Sequence, residues 1–253
     1  GEKVMLKGKG IIITGSAPGL GQAFAMSIVE KGAHIVVADI LETEGIATVN
    51  SIKKLGHNAH FVKVDLSDPE SIEQCILKSV EILGGLDGLV NNGAIATGIG
   101  GISMEDIDIN VWDNVMNVNV RGTWLMTRAA SPHLRKSESG KVVNIASDTA
   151  LWGAPKLLHY VSSKGAIISM TKSMARELGN DNICVNAIAP GLTLVEATEY
   201  VPKERHDQYR DGRAISREQR PGDVVGVVNF LLSDSASFIT GQLLPINGGF
   251  VMN

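Results

Sequence analysis

The sequence predicts an α/β fold, a doubly wound parallel sheet with helices on both faces. Short runs rich in Ile and Val alternate with amphipathic stretches along most of the 253 residues. The apolar runs are continuous rather than alternating, which is the pattern of strands covered on both sides. A glycine-rich turn joins the first strand to the first helix, as phosphate-binding turns do in such folds.

Taken in order, "KGIIIT" (9–14) reads as the first strand and 19–32 as the helix that follows. Strand "HIVVAD" (34–39) leads into a helix over 42–55, and "AHFVKV" (59–64) into one over 69–83. "LDGLV" (86–90), "KVVNIA" (141–146) and "ICVNAIAP" (183–190) are further buried strands, with a long helix over 158–179 before the last of them. Residues 192–220 are dense in charge, carry two short helical patterns and read as an insertion over the sheet's carboxyl edge. "LLPI" (243–246) is expected as a final buried strand. There is no internal repeat or linker, so 1–253 is read as one domain. Gly1 is read as a tag remnant.

Composition bounds the function. The chain is 44% hydrophobic and 20% charged, with a net charge of −4, which provides no basic field for nucleic acid. Cys75 and Cys184 have neither metal spacing nor the density of a disulfide scaffold, and no His/Cys/Asp cluster has metal spacing. "GEKVMLKGK" is too polar for a signal peptide, and no apolar run reaches about 18 residues. A soluble, cytoplasmic protein without membrane partners is the expectation.

Candidate site residues fall at strand ends. "TGSAPGLG" places Gly15, Gly19 and Gly21 between a strand and a helix, where unpaired N–H groups and a partial positive charge attract a pyrophosphate. Asp39 ends the second strand about 20 residues further on, the position of a ribose-binding carboxylate. A 2′-phosphate would meet that carboxylate, and no Arg or Lys stands at 16, 17, 40 or 41 to neutralise it, so NAD is expected over NADP. In "HYVSSKG", Tyr160 and Lys164 stand four apart and share a helix face. A free phenol ionises near ~10. An ammonium at ~4 Å is worth about 4 kcal/mol at an effective dielectric of ~20, roughly the three units that would bring it to neutrality. Ser147 follows "VVNIA" at the carboxyl edge, where its hydroxyl can hold a substrate oxygen.

Together, "TGSAPGLG", "NNGA" (91–94), "NVRG" (119–122), Ser147, "YVSSK" (160–164), "PG" (190–191) and "ITGQLLPINGG" (239–249) resemble the classical short-chain dehydrogenase/reductase family, in order and over essentially the whole chain. The resemblance implies a Rossmann-type sheet of about seven strands with the dinucleotide across its carboxyl edge. It implies Tyr160 as general acid/base, Lys164 as its acidifier and ribose ligand, Ser147 as the substrate-orienting hydroxyl and Asn119 as support for a water relay. Asp65 with Leu66 falls near the adenine, Leu20 and Ile40 beside the glycine turn and Asp39, Asn92 with Gly93 in the loop lining the cofactor, and Pro190, Gly191 and Thr193 near the carboxamide. The family's Asn-Asn-Ala-Gly stands here as Asn91-Asn92-Gly93-Ala94, which predicts a different backbone course after strand four. Val195 occupies a position where threonine is common, leaving Thr193 or Thr198 to supply the hydroxyl.

Trp152, Leu157 and Leu158 read either as an apolar substrate wall or as core. His159 reads as packing, and Arg205, Arg210, Arg213 and Arg217, interspersed with acids, as a solvated face or subunit contact. The resulting reading is an NAD-dependent alcohol dehydrogenase/carbonyl reductase acting on a secondary, cyclic or aromatic alcohol, with Ser147, Trp152 and Tyr160 at the substrate. A 3-oxoacyl-carrier reductase and a catalytically silent dinucleotide sensor are the alternatives. Association into dimers or tetramers is implied by the resemblance, with the apolar terminus "GGFVMN" as a suitable contact.

Overall fold

The computed structural model describes residues 4–16 and 18–253; Gly1, and Ala17 of the glycine turn, lie outside the described residues. Seven parallel strands form one sheet in the order β3-β2-β1-β4-β5-β6-β7. They are β1 (Gly10–Thr14), β2 (His34–Asp39), β3 (Ala59–Lys63), β4 (Gly88–Asn91), β5 (Lys141–Ile145), β6 (Cys184–Pro190) and β7 (Leu243–Ile246). The order reverses between β1 and β4, which opens a crevice beyond their carboxyl ends.

Strand periodicity divides the core. Ile11 and Ile13 of β1 point into one apolar layer with Phe24 and Ile28 of α1 (Leu20–Glu30) and Val228 and Leu231 of α9 (Gly222–Leu232). Ile12 between them points into the other, against Ile72 and Ile76 of α3 (Pro69–Leu83) and Met126 of α5 (Gly122–Leu134). All three isoleucines are fully buried, as a strand covered on both faces requires.

α2 (Glu42–Lys54) follows β2, and α4 (Ile109–Met116) runs into α5 through one π-helical turn, Asn117–Arg121. The Gly122 N–H donates to the Asn117 carbonyl, closing the wide turn and placing Asn119 within it. A short α6 (Thr149–Trp152) precedes the long α7 (Leu158–Leu178). Within 192–220, α8 (Lys203–Gly212) packs over the carboxyl edge, and Thr193 bridges Gln219 at the segment's base.

One expectation differs. β7 pairs only with β6 and is half-buried along its length, so "LLPI" is an edge strand rather than a buried one, where Pro245 is tolerated. Among the described residues, no helix is long and apolar enough to cross a membrane.

Candidate active site

A cavity of about 730 Å³ lies along the carboxyl ends of β1, β2, β4, β5 and β6. Its lining includes Gly15, Gly19, Leu20, Gly21, Asp39, Ile40, Asp65 and Leu66 at one end. Asn92, Gly93, Ser147, Tyr160, Lys164, Pro190, Gly191 and Thr193 line the rest. Asn119 and Trp152 are not in the lining.

The glycine turn fits a pyrophosphate. Gly15 takes φ 65°, and a Cβ on Gly21 would overlap the Gly15 carbonyl, so the turn admits no side chain there. No side chain caps α1 at Gly19 and no acid stands in its first turn, which leaves the helix N-terminus open to an anion. Asn92 Nδ2 donates to the Gly15 carbonyl at 2.8 Å and binds the turn to the loop after β4. Thr14 Oγ1 accepts the N–H groups of Asn92 and Gly93 at 3.1 and 2.9 Å.

The exchange at Gly93-Ala94 does not act through positive φ. Gly93 is not among the glycines with positive φ. A Cβ there would lie 2.6 Å from Leu66 Cδ1, the movable end of a side chain, and 3.3 Å from the Gly15 N.

At the end of β2, Asp39 is 8% exposed and its Oδ1 accepts the Leu41 N–H at 3.0 Å. Asp65 accepts from the Ser67 N–H and hydroxyl at 2.9 and 2.6 Å. Arg121 Nη2 donates to the Ser67 carbonyl at 2.6 Å and fixes that loop. The only side-chain cations of the lining, Lys164 and Arg205, belong to the β5–β6 half rather than to this end.

Lys164 lies on the buried face of α7, 5% exposed, and its Nζ donates to the Ile145 carbonyl at 2.8 Å. Burial pushes its pKa down to about 8. Its Nζ stands 5.7 Å from the Tyr160 ring centre. Burial raises the Tyr160 phenol above its ordinary value, the Ser147 hydroxyl counteracts this, and the Asp148 carboxylate adds to it. Burial is the largest of these influences, and in the chain alone it favours the protonated phenol. Ser147 Oγ pairs with Thr149 Oγ1 at 2.8 Å and faces the same cavity.

The Asn119 amide pairs with the Ile95 backbone in both directions, at 2.7 and 3.0 Å, and donates to Ser163 Oγ at 3.1 Å. Ser163 in turn donates to the Tyr160 carbonyl at 2.7 Å. The Asn119 side chain thereby ties the β4 loop to the tyrosine's helix. Trp152 departs from its substrate role: its indole N–H donates to the Tyr209 hydroxyl at 3.0 Å, and its ring packs edge-on against Tyr209 and Phe250. Of the three residues read as an apolar wall, Leu157 alone lines the cavity, while Leu158 is exposed. Phe250 of the apolar terminus stacks on Tyr209 at 4.5 Å within the same chain. His159 is fully buried and accepts the Tyr160 N–H on Nδ1. Thr193 and Thr198 both line the cavity; the first donates to the Gly191 carbonyl at 3.0 Å, and the second accepts the Val195 N–H at 3.0 Å.

Sequence reasoning missed Asp148, which is fully buried behind Ser147. Tyr209 and Asn247 donate to its two oxygens at 2.8 and 3.1 Å. Burial pushes its pKa up to about 6 against the pull of those donors and of Arg213. The signal was only its place next to Ser147; its partners come from segments 61 and 99 residues away. The folded chain binds this proton more tightly than the unfolded chain, so stability from this group falls as pH rises from about 4 to about 6. Asp148→Asn is therefore expected to gain stability relative to wild type, by on the order of 2 kcal/mol, between pH ~4.5 and ~7.5 in denaturant melts. Because the carboxylate raises the Tyr160 phenol, the same variant should move the pH midpoint of turnover downwards. An unmoved midpoint would detach Asp148 from the tyrosine.

Similar proteins were found by family model, sequence and structure. A family model described as enoyl-(acyl carrier protein) reductase matches residues 15–251. A 3-oxoacyl-[acyl-carrier-protein] reductase of Thermotoga maritima is 33% identical over 247 residues, covering 98% of this chain and 99% of the relative. The crystal structure of a short-chain dehydrogenase from Burkholderia cenocepacia J2315 in complex with NADP superposes with TM-score 0.89 at 31% identity, over 97% of this chain and 99% of that one. A dehydrogenase/reductase of Sinorhizobium meliloti 1021 gives TM-score 0.90 at 34% identity, over 99% and 98%.

Proposed function

The chain belongs to the short-chain dehydrogenase/reductase family, and from that premise we propose that it interconverts a ketone of the 3-oxoacyl type and its secondary alcohol with NAD. The observation that carries the reading is the joint presence of Ser147, Tyr160 and Lys164 in the wall of the cavity that also holds the glycine turn and Asp39. A silent dinucleotide sensor would need only the latter two features. The expectation of a cyclic or aromatic alcohol gives way to the 3-oxoacyl alternative for two reasons. Trp152, read as part of an apolar wall or as core, is engaged by Tyr209 and Phe250, and the Thermotoga relative is named for 3-oxoacyl reduction.

The open N-terminus of α1 holds the pyrophosphate, and Asp39 accepts from the adenosine ribose. When bound, the dinucleotide supplies the hydride, and its oxidised ring carries a positive charge that favours an ionised phenol. Ser147 Oγ holds the substrate oxygen against Tyr160. In reduction the phenol O–H gives its proton to the oxygen that becomes the alcohol; in oxidation the phenolate takes it back. The protonated phenol that burial maintains at neutral pH is the form reduction consumes. Lys164, pinned to the Ile145 carbonyl, keeps a cation near the ring and would hold the second ribose of a bound dinucleotide.

The NAD preference rests on Asp39 and on the lack of Arg or Lys at positions 16, 17, 40 and 41 of the sequence. It stands although the Burkholderia neighbour binds NADP. Reduction of a 3-oxoacyl thioester, followed by coenzyme absorbance, should favour NADH over NADPH by about tenfold or more, and Asp39→Ala should erase most of that ratio. An NADPH preference in wild type would refute the cofactor assignment. Association into dimers or tetramers is part of the proposal and is read by light scattering.

A further inference from the structure

Four arginines of the 192–220 segment have separate fates. Arg210 pairs with Asp207 at 3.1 Å and Asp211 at 2.9 Å. Arg217 holds Asp223 with two hydrogen bonds, at 2.8 and 2.7 Å. Arg213 is 6% exposed and spends its guanidinium on the carbonyls of Leu192, Arg217 and Asn247 and on Gln219 Oε1. Arg205 differs from all three. Among the described residues it makes no ion pair and no side-chain hydrogen bond, and its guanidinium carbon lies over the Trp152 ring, 5.1 Å from the ring centre. It also lines the cavity, as do Ser147, Thr149, Tyr160 and Tyr209.

The helix explains the placement. Arg205 and Tyr209 stand one turn apart on α8 and share the face turned to the cavity, while Lys203, Asp207, Arg210 and Asp211 pair along the outer side. Trp152 is itself fixed by Tyr209, so the indole is a firm support that orients the guanidinium and leaves its N–H edges available. The two carboxylates of the lining, Asp39 and Asp65, end β2 and β3 at the opposite side of the sheet. Asp148 stands behind the wall, engaged by Tyr209 and Asn247 and drawn to Arg213. Among the described lining residues, the substrate half of the cavity therefore carries two cations, Lys164 and Arg205, and no carboxylate, with apolar residues such as Leu157, Val195 and Val201 in the same lining.

We propose that Arg205 selects substrates that carry their own carboxylate, so that the preferred ketone is a free oxo acid, its oxygen at Ser147 and Tyr160 and its carboxylate on the guanidinium. A planar two-oxygen anion matches the fork of donors. A phosphate, close to a double charge at neutral pH, would meet one guanidinium here, since Lys164 is held on the Ile145 carbonyl beside the Tyr160 ring. This rests on the carbonyl-reductase reading above and deepens it.

The test compares acetoacetate and levulinate with their methyl esters, in wild type and Arg205→Met, with saturating NADH. Wild type should prefer each acid, and for at least one of them R205M should lose about 10- to 100-fold in kcat/KM, mostly through KM. The esters should change by less than about twofold, and Arg205→Lys should recover part of the loss. Equal losses on acid and ester, a raised KM for NADH, or an unchanged acid preference in R205M would overturn the proposal. Wild-type turnover of esters but not acids would also overturn it, while leaving carbonyl reduction intact. Absence of NADH oxidation with acids, esters and 3-oxoacyl thioesters alike would instead sink the reading on which it rests.

Discussion

Tyr160→Phe is expected to lower turnover by roughly two to four orders of magnitude in either direction, the usual worth of a positioned general acid/base. Dinucleotide affinity should change by less than about twofold, because the phenylalanine ring fills the same volume beside Lys164 and Ser147. The loss should appear in kcat rather than KM, since the hydroxyl acts on the substrate oxygen as its bond order changes. Calorimetric titration with NAD, run beside steady-state assays, separates the two effects. A variant that bound NAD normally and kept full turnover would remove the proton donor from the account.

Lys164→Met should be nearly as damaging, for two reasons. It removes the cation beneath the phenol ring, 5.7 Å from its centre, and it leaves the Ile145 carbonyl without its donor in a buried position. The second effect alone is worth about 1–3 kcal/mol of stability or local order. We expect kcat/KM to fall by about two to three orders of magnitude and NAD affinity to weaken, unlike in Tyr160→Phe. With burial holding the ammonium's pKa at about 8 in the chain alone, the charge is present below that pH and lost above it. A flatter pH profile across that range in Lys164→Met would follow, and stopped-flow measurement of single turnovers would reveal it. Equal pH profiles in the two proteins would show that the lysine's charge is not felt at the phenol.

How much of this was legible in the sequence depends on distance along the chain. β2, α3 and β7 coincide with the expected ranges, and β1, β3, β5 and β6 differ by a residue or so at their ends. Continuous runs of Ile and Val bounded by polar turns leave little ambiguity about period or length. The glycine turn, Asp39, Ser147 and the Tyr160–Lys164 pair were legible because each signal is local to a strand end or one helix turn. What escaped depended on long-range contacts. The enclosure of Asp148 requires Tyr209 from α8 and Asn247 from the end of β7. Trp152 was drawn from the substrate wall by Tyr209 and Phe250, which no spacing around residue 152 could indicate. Arg205 looked like any charged residue of a polar helix. Only the position of α8 over the sheet edge separates it from Arg210 and Arg217.

The phenol's surroundings were less legible. Four-residue spacing gives the neighbour but not the solvent, and the burial that raises the phenol comes from contacts the spacing does not show.

The most direct measurement is an ultraviolet difference titration of tyrosinate in NAD-loaded wild type against NAD-loaded Tyr160→Phe. The account predicts a one-tyrosinate difference between the two proteins, with its midpoint below the ordinary phenol range and coincident with the pH midpoint of kcat/KM for oxidation. No difference below that range, or a midpoint that the kinetics do not share, would contradict Tyr160 as the group that carries the proton.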